Sequence, residues 1–176
     1  MTVRTTMTEL ISLVRGLIND PLESDMTFQE YEIQVELDLY RTWNNIAALT
    51  ALPSADGSQT NWKATQHYWE SPVLTDGVGN TLTPETTDAI AGYFVFAETQ
   101  EAVFASGFSY DVYAAAAELL TMWAGRLAQD ITKFSADGSS FEFGGLQKAK
   151  LDMAARYRAM SPSFSGIKLI KLARDD

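Results

Sequence analysis

His67 is the only histidine in the chain, and there is no cysteine. A Ser-His or Cys-His nucleophilic engine and a thiolate zinc site therefore lack their parts. His67 precedes Tyr68 and Trp69 on a predicted strand, where a packed or exposed ring is the favoured reading. Asp137-Gly138 invites a calcium-loop reading, but placing the pair at the fifth and sixth loop positions puts Lys133 first and Gly144 twelfth. Neither can serve as a ligand there, and turn chemistry accounts for the pair. No glycine-rich loop runs into a helix with a following lysine, so phosphate cradling has no candidate. Glu32, Glu36 and Asp38 form the densest carboxylate set. Any two carboxylates can be imagined as a glycosidase pair, yet at helical spacing these three make a solvated face. The residue types therefore imply no catalytic group, no metal and no cofactor.

Composition sets wider bounds. The chain has 176 residues, 46% hydrophobic and 20% charged, which suits one globular domain with a real core. No apolar run approaches the roughly 18 residues of a membrane span. Met1 to Ile18 lacks the continuous apolar stretch of a signal peptide, so residence in a cytoplasm is expected. The net charge of −10 is uneven: Met1 to Gly145 carries 6 basic and 20 acidic residues, Leu146 to Asp176 carries 7 and 3. An acidic body disfavours adhesion to DNA, whereas a basic C-terminal segment can dock on a copy of that body.

The elements that position these residues follow from periodicity. Met7, Leu10, Ile11, Val14, Leu17 and Ile18 predict a first helix, with a capping box from Thr6 and Glu9. Thr27 to Leu52 is ambiguous, because Tyr31, Ile33, Val35, Leu37 and Leu39 alternate like a strand. Its length and its lack of Gly and Pro favour a helix, capped by Thr27 and Glu30. Pro53 to Gly107 is broken repeatedly by Gly and Pro, with β-type runs at Ala64 to Trp69, Ile90 to Ala97 and Glu101 to Ala105. Tyr110 to Ile131 predicts a third helix, on which Leu119, Trp123 and Leu127 anchor the core. A loop, Thr132 to Gly145, leads to a fourth helix from Leu146 that stops at Ser161-Pro162. Trp62 and Trp69 are either core or interface anchors. The fold class expected is mainly α, a bundle of about four helices. It carries a small antiparallel β insertion at 53–107 within a connector domain 1–162, and an extended tail at 163–176.

One stretch carries a family resemblance. Tyr110 to Tyr113 reads Tyr-Asp-Val-Tyr, Ala114 to Ala124 is an Ala-rich helix with Leu-Leu and Trp-Ala, Phe134 to Gly138 is an aromatic-Ser-Ala-Asp-Gly turn, and Ala155 to Arg158 reads Ala-Arg-Tyr-Arg. Together with Val14, Arg15, Asp20 and Thr27 to Glu30, these resemble the head-to-tail connector (adaptor) proteins of tailed double-stranded DNA bacteriophages. The match is weak over 51–101. The resemblance implies a dodecameric ring on the portal protein that seals the filled head and receives a downstream neck or tail-completion protein. Double-stranded DNA would pass through its lumen, with no membrane and no catalytic residue involved, in the virion neck.

A ring needs two different surfaces that meet head to tail. The candidates are the acidic Glu32, Glu36 and Asp38 and the basic Lys148, Lys150, Arg156 and Arg158. The tail alternates Ile167, Leu169 and Lys171 against Lys168 and Ile170, with Leu172 and Arg174 beyond. It has no local strand mate, so it either joins the portal's tail-facing rim or folds onto the protein's own sheet near Ile90 to Ala97. A monomeric binding module or a carboxylate-based hydrolase remain the alternatives.

Overall fold

The computed structural model describes residues 2–20, 26–54, 57–133 and 140–165. In chain order these form α1 (Thr8–Ile18), α2 (Glu30–Leu39), β1 (Arg41–Ala48), β2 (Thr50–Ala51), β3 (Asn61–Lys63), β4 (Trp69–Thr75), β5 (Thr81–Leu82), β6 (Thr86–Asp88), β7 (Tyr93–Val95), β8 (Phe104–Tyr110), α3 (Val112–Lys133), α4 (Ser140–Met160) and α5 (Pro162–Ser165). Two four-stranded antiparallel sheets, ordered β1-β8-β4-β5 and β2-β3-β7-β6, sit between α2 and α3. The expectation of a mainly α bundle with a minor β insertion is therefore wrong: this is a mixed α/β fold.

The error has a physical origin. The segment 27–52 is helical only to Leu39. At Tyr40 the backbone N–H donates to the Leu37 carbonyl, and the Tyr40 carbonyl accepts from Asp111 N–H, 3.0 Å each. That second bond ties the helix end to the junction of β8 and α3. From there Arg41↔Tyr110 opens the β1–β8 ladder. Strand formation here is decided by a partner far along the chain, which local patterning cannot reveal.

Two cores result. In the helical body, Leu10, Ile11, Val14 and Ile18 of α1 meet Ile33 and Leu37 of α2 and Leu119 and Leu120 of α3. Ala114 to Ala117 are all wholly buried, and their small side chains let neighbouring elements approach α3 closely. In the sandwich, Trp62, Trp69, Leu74, Phe94, Phe96 and Val103 pack between the sheets. The Trp62 and Trp69 indole N–H groups donate to the Gln59 and Gln66 carbonyls, 3.0 Å each. Both rings are thus core with satisfied donors, not surface anchors.

The helix ends are held by side chains. Asn19 takes a left-handed conformation (φ 53°) at the end of α1, as Asn tolerates. Gln29 and Glu32 form a reciprocal capping box on α2, two residues beyond the expected Thr27 and Glu30. The expected Thr6–Glu9 box is absent because the Thr6 hydroxyl donates to Glu70 instead. Asp111 caps α3 through Ala114 N–H (3.0 Å) and also accepts from Ser161 Oγ (2.6 Å) and Ser163 N–H (3.0 Å). One carboxylate thereby joins the start of α3 to the end of α4, an antiparallel hairpin. Ser140 opens α4 earlier than the sequence suggests.

Candidate assembly surface

The charges expected to join subunits are mostly engaged inside the protomer. Glu32 accepts from Arg126 (2.9 Å), whose guanidinium also reaches the Thr27 carbonyl and lies over the Phe28 ring. Asp38 takes a two-pronged contact from Arg4 at 2.7 and 2.9 Å. Arg158 donates to Glu118 and Thr121, 2.9 Å each. Lys150 is buried: its ammonium donates to the Ile18 carbonyl (3.1 Å) and sits 3.2 Å from the Trp123 ring centroid. Beside it, the Tyr157 hydroxyl donates to the Leu17 carbonyl (2.9 Å). Together they supply donors to the terminal carbonyls of α1, where a cation is favoured. Burial lowers the Lys150 pKa, and Asp20 works against that.

Glu36 is half-buried with one carboxylate oxygen that lacks a hydrogen bond, and burial, aided by the Glu118 charge, pushes its pKa up. Lys148 and Arg156 are exposed. The core anchors divide: Leu119 is wholly buried, whereas Trp123 and Leu127 are half-buried. Trp123 meets Phe28 edge-on at 6.2 Å. Ile167, Lys168, Leu169, Ile170, Lys171, Leu172 and Arg174, and the turn at Asp137-Gly138, lie outside the described residues.

A surface that the sequence reading missed lies on the outer face of the first sheet. Trp43 is 57% exposed, Ile46 61% and Val73 52%. Trp43 stacks edge-on against Phe108 at 4.9 Å, and the Arg41 guanidinium lies 4.6 Å from the Phe108 centroid. Two register shifts shape this face, one in β1 between Asn44 and Ala47, the other in β4 between Glu70 and Val73. Both flank β8 around Gly107 (φ 154°), where an added Cβ would come within 3.3 Å of Pro72. Ile46 (φ 53°) and Ser71 (φ 44°) sit in the left-handed region within these shifts. For a β-branched residue such a conformation costs about 1–3 kcal/mol. It turns Ile46 outward while its N–H donates to Ser106 Oγ (3.0 Å). The result is a shallow cleft of about 400 Å³ beside the open edge of β1. The signal available was the run Trp43-Asn-Asn-Ile46, rich in neither charge nor helix formers.

At one end of the cleft a polar latch closes the N-terminal segment onto the sheet. Arg4 bridges Asp38 and Glu70, and Glu70 accepts from Thr6 and from the Tyr110 hydroxyl. Burial raises the Glu70 pKa, but hydrogen bonds from Arg4, Thr6 and Tyr110 outweigh it and hold the carboxyl below its ordinary range. Burial and the Glu70 hydrogen bond push the Tyr110 phenol well up. Every group is already partnered within the protomer, as in a structural latch.

A second cleft, about 680 Å³, is lined by Tyr40, Tyr68, Tyr113, His67, Asn44 and Asp111. Burial, with the Tyr113 hydrogen bond, lifts the Tyr68 phenol to about 12. Burial opposes but hydrogen bonds from Ser161 and Ser163 prevail at Asp111, whose pKa is lowered. Asp111 is thereby occupied as a cap. Among the described residues no group of three or more acidic or His side chains could hold a metal ion, and no helix is long and apolar enough to cross a membrane. No known protein family, curated protein or solved structure matches this chain.

Proposed function

We propose that the chain is a head-to-tail connector of a tailed bacteriophage, a non-enzymatic virion protein that assembles as a ring beneath the portal. The single observation that carries this reading furthest is the exposed Trp43–Ile46–Val73 face beside an open sheet edge. Exposed apolar area of this kind on an otherwise acidic protein favours burial against another protein. The resemblance over Gly107 to Met160 supplies the rest. Its Tyr-Asp-Val-Tyr start and Ala-Arg-Tyr-Arg end meet in space through the Tyr113 and Tyr157 rings, whose centroids lie 5.9 Å apart. That stretch thus acts as one helical hairpin, onto which the sandwich is added between α2 and α3.

In this reading the portal protein and a downstream neck protein are the partners, and the C-terminal tail supplies the portal contact. A net charge of −10 suits a lumen through which double-stranded DNA passes, since like charge prevents adhesion. Synthesis takes place in the host cytoplasm, and the finished protein resides in the virion neck. A second reading, a monomeric binding module, draws on the tyrosine-lined cleft, whose volume falls within the range of small-molecule sites.

Incubation of the purified protein with portal, followed by negative-stain electron microscopy, tests the proposal. A ring attached to the portal's tail-facing end is the expected outcome. A protein that stays monomeric and leaves the portal bare contradicts it.

A further inference from the structure

The turn between β4 and β5 is unusually well fixed for an exposed hairpin tip. Asp76 accepts from Val78 N–H (2.9 Å), from Asn80 N–H (2.8 Å) and from the Asn80 side-chain amide (2.8 Å). Gly79 takes the left-handed conformation (φ 92°) that closes the turn. On this rigid support stands Val78, 85% exposed and the most exposed large apolar side chain among the described residues. An isolated surface valine needs no explanation. A valine held out on a preorganised turn resembles a docking knob, because little conformational entropy remains to be lost on binding.

The Trp43 cleft offers the matching hole. Trp43, Val73 and Phe108 give it apolar walls, and Arg41 lies along the rim. Arg4 is consumed by Asp38 and Glu70, but Arg41 keeps its side chain 43% exposed and approaches Asp38 only to 3.6 Å. Charge is complementary. No Lys or Arg occurs from Ala64 to Gly125; the hairpin tip itself carries Asp76, and Glu101 adjoins Ala102, which a Cβ on Gly77 would meet at 3.9 Å. An acidic tip meeting an arginine rim is steered into register.

The tip cannot fill its own cleft. β4 passes the cleft at Glu70 to Val73 and carries the hairpin outward beyond Thr75, where Thr75↔Thr81 closes the β4–β5 ladder. The occupant must come from another molecule, and the acidic apolar tip of a second copy of this chain has the required shape and charge. We infer that the β4–β5 hairpin of one protomer inserts Val78 into the Trp43–Val73–Phe108 cleft of the next. Knob and cleft are different surfaces, so the contact repeats head to tail, as a ring requires. The inference rests on the connector reading and names the subunit contact that the reading needs.

Two measurements on the full-length protein test it. Val78→Asp changes an exposed turn residue and should leave the melting temperature unchanged, while burying a charge in an apolar cleft weakens self-association about tenfold or more in sedimentation velocity. The chain has no cysteine, so Val78→Cys protein mixed under oxidation with Ser71→Cys protein reports proximity directly. The mixed disulfide dimer should form several-fold faster than either self-pair. Oligomers indifferent to Val78→Asp, with no excess of mixed dimer, overturn this contact and leave the ring reading standing. Association that needs Val78 but stops at a small closed assembly with portal present supports the contact and removes the ring reading. A wild-type protein that stays monomeric at every concentration, with no mixed disulfide, overturns the contact.

Discussion

In the helical body the charges of Arg15, Asp20 and Lys150 turn inward and are engaged; on the first sheet Trp43, Ile46 and Val73 turn outward and are left open. Arg15 and Asp20 form a buried pair at 2.9 Å, with side chains 3% and 0% exposed. Asp20 also accepts from Thr27 and Phe28 N–H, and Arg15 donates to the Phe28 carbonyl, so Thr27 and Phe28 are tied to the end of α1. Lys150 and Arg158 likewise tie α4 to α1 and α3. The sandwich satisfies its core with Trp62, Trp69 and Phe94, yet displays Trp43, Ile46 and Val73. The contrast teaches where to look for each role. Buried charges hold the protomer together, and the exposed apolar face of the first sheet is the proposed contact surface.

The largest expected effect follows from breaking the buried pair. Asp20→Ala leaves Arg15 charged, buried and without its carboxylate, and should destabilise by about 3–5 kcal/mol in chemical denaturation. A loss below about 1 kcal/mol would mean that water reaches Arg15, and the inward side of the comparison would fail. Next is Asp111→Ala, which removes the α3 cap and frees Ser161. About 2 kcal/mol is expected, since one cap contributes roughly 0.5–2 and a second polar contact is lost with it.

Acid titration sharpens the comparison, because Glu70 at the sandwich and Glu36 in the helical body shift oppositely. Glu70, at the sandwich, has a lowered pKa in the folded state. Its stabilisation is present above the ordinary carboxylate pKa of about 4.3 and is lost as pH falls through the lower folded value. Glu36, in the helical body, has a raised pKa. The folded state binds the proton more tightly, so stability is full below the ordinary value and declines as pH rises through the folded one. Glu70→Gln should therefore lower the denaturation midpoint at neutral pH, and Glu36→Gln should raise it. Both differences should shrink under acid, and midpoints moving in the same direction at neutral pH would contradict the assignment. The smallest effect is Arg156→Glu, an exposed site where the protomer should change by about 0.5 kcal/mol or less.

Legibility followed the range of the interactions. α1 and α3 were readable because their faces are local: Val14 and Leu119 recur at helical spacing and are wholly buried. The helix read over Thr27 to Leu52 in spite of the alternation from Tyr31 to Leu39 holds only to Leu39, where Tyr31, Val35 and Leu39 are exposed and Ile33, Gln34 and Leu37 are buried. β1 carried no alternation at all, since Trp43 and Ile46 both face outward and a register shift separates Asn44 from Ala47. Its partner β8 was curtailed at Ala105 because Gly107 reads as a breaker, although it marks the close approach of Pro72. The charges of α2 and α4 were found as residues, but their partners Arg4, Glu118 and Arg126 could be assigned only once the chain was folded.

A protein proposed to close a ring beneath the portal must show it in the mass of the assembled particle. Sedimentation equilibrium of the full-length protein, over a concentration series and with purified portal, should show a single closed multimer bound to the portal, with no larger open chains. A mass that stays at one protomer under all these conditions, with portal sedimenting alone, would contradict the account.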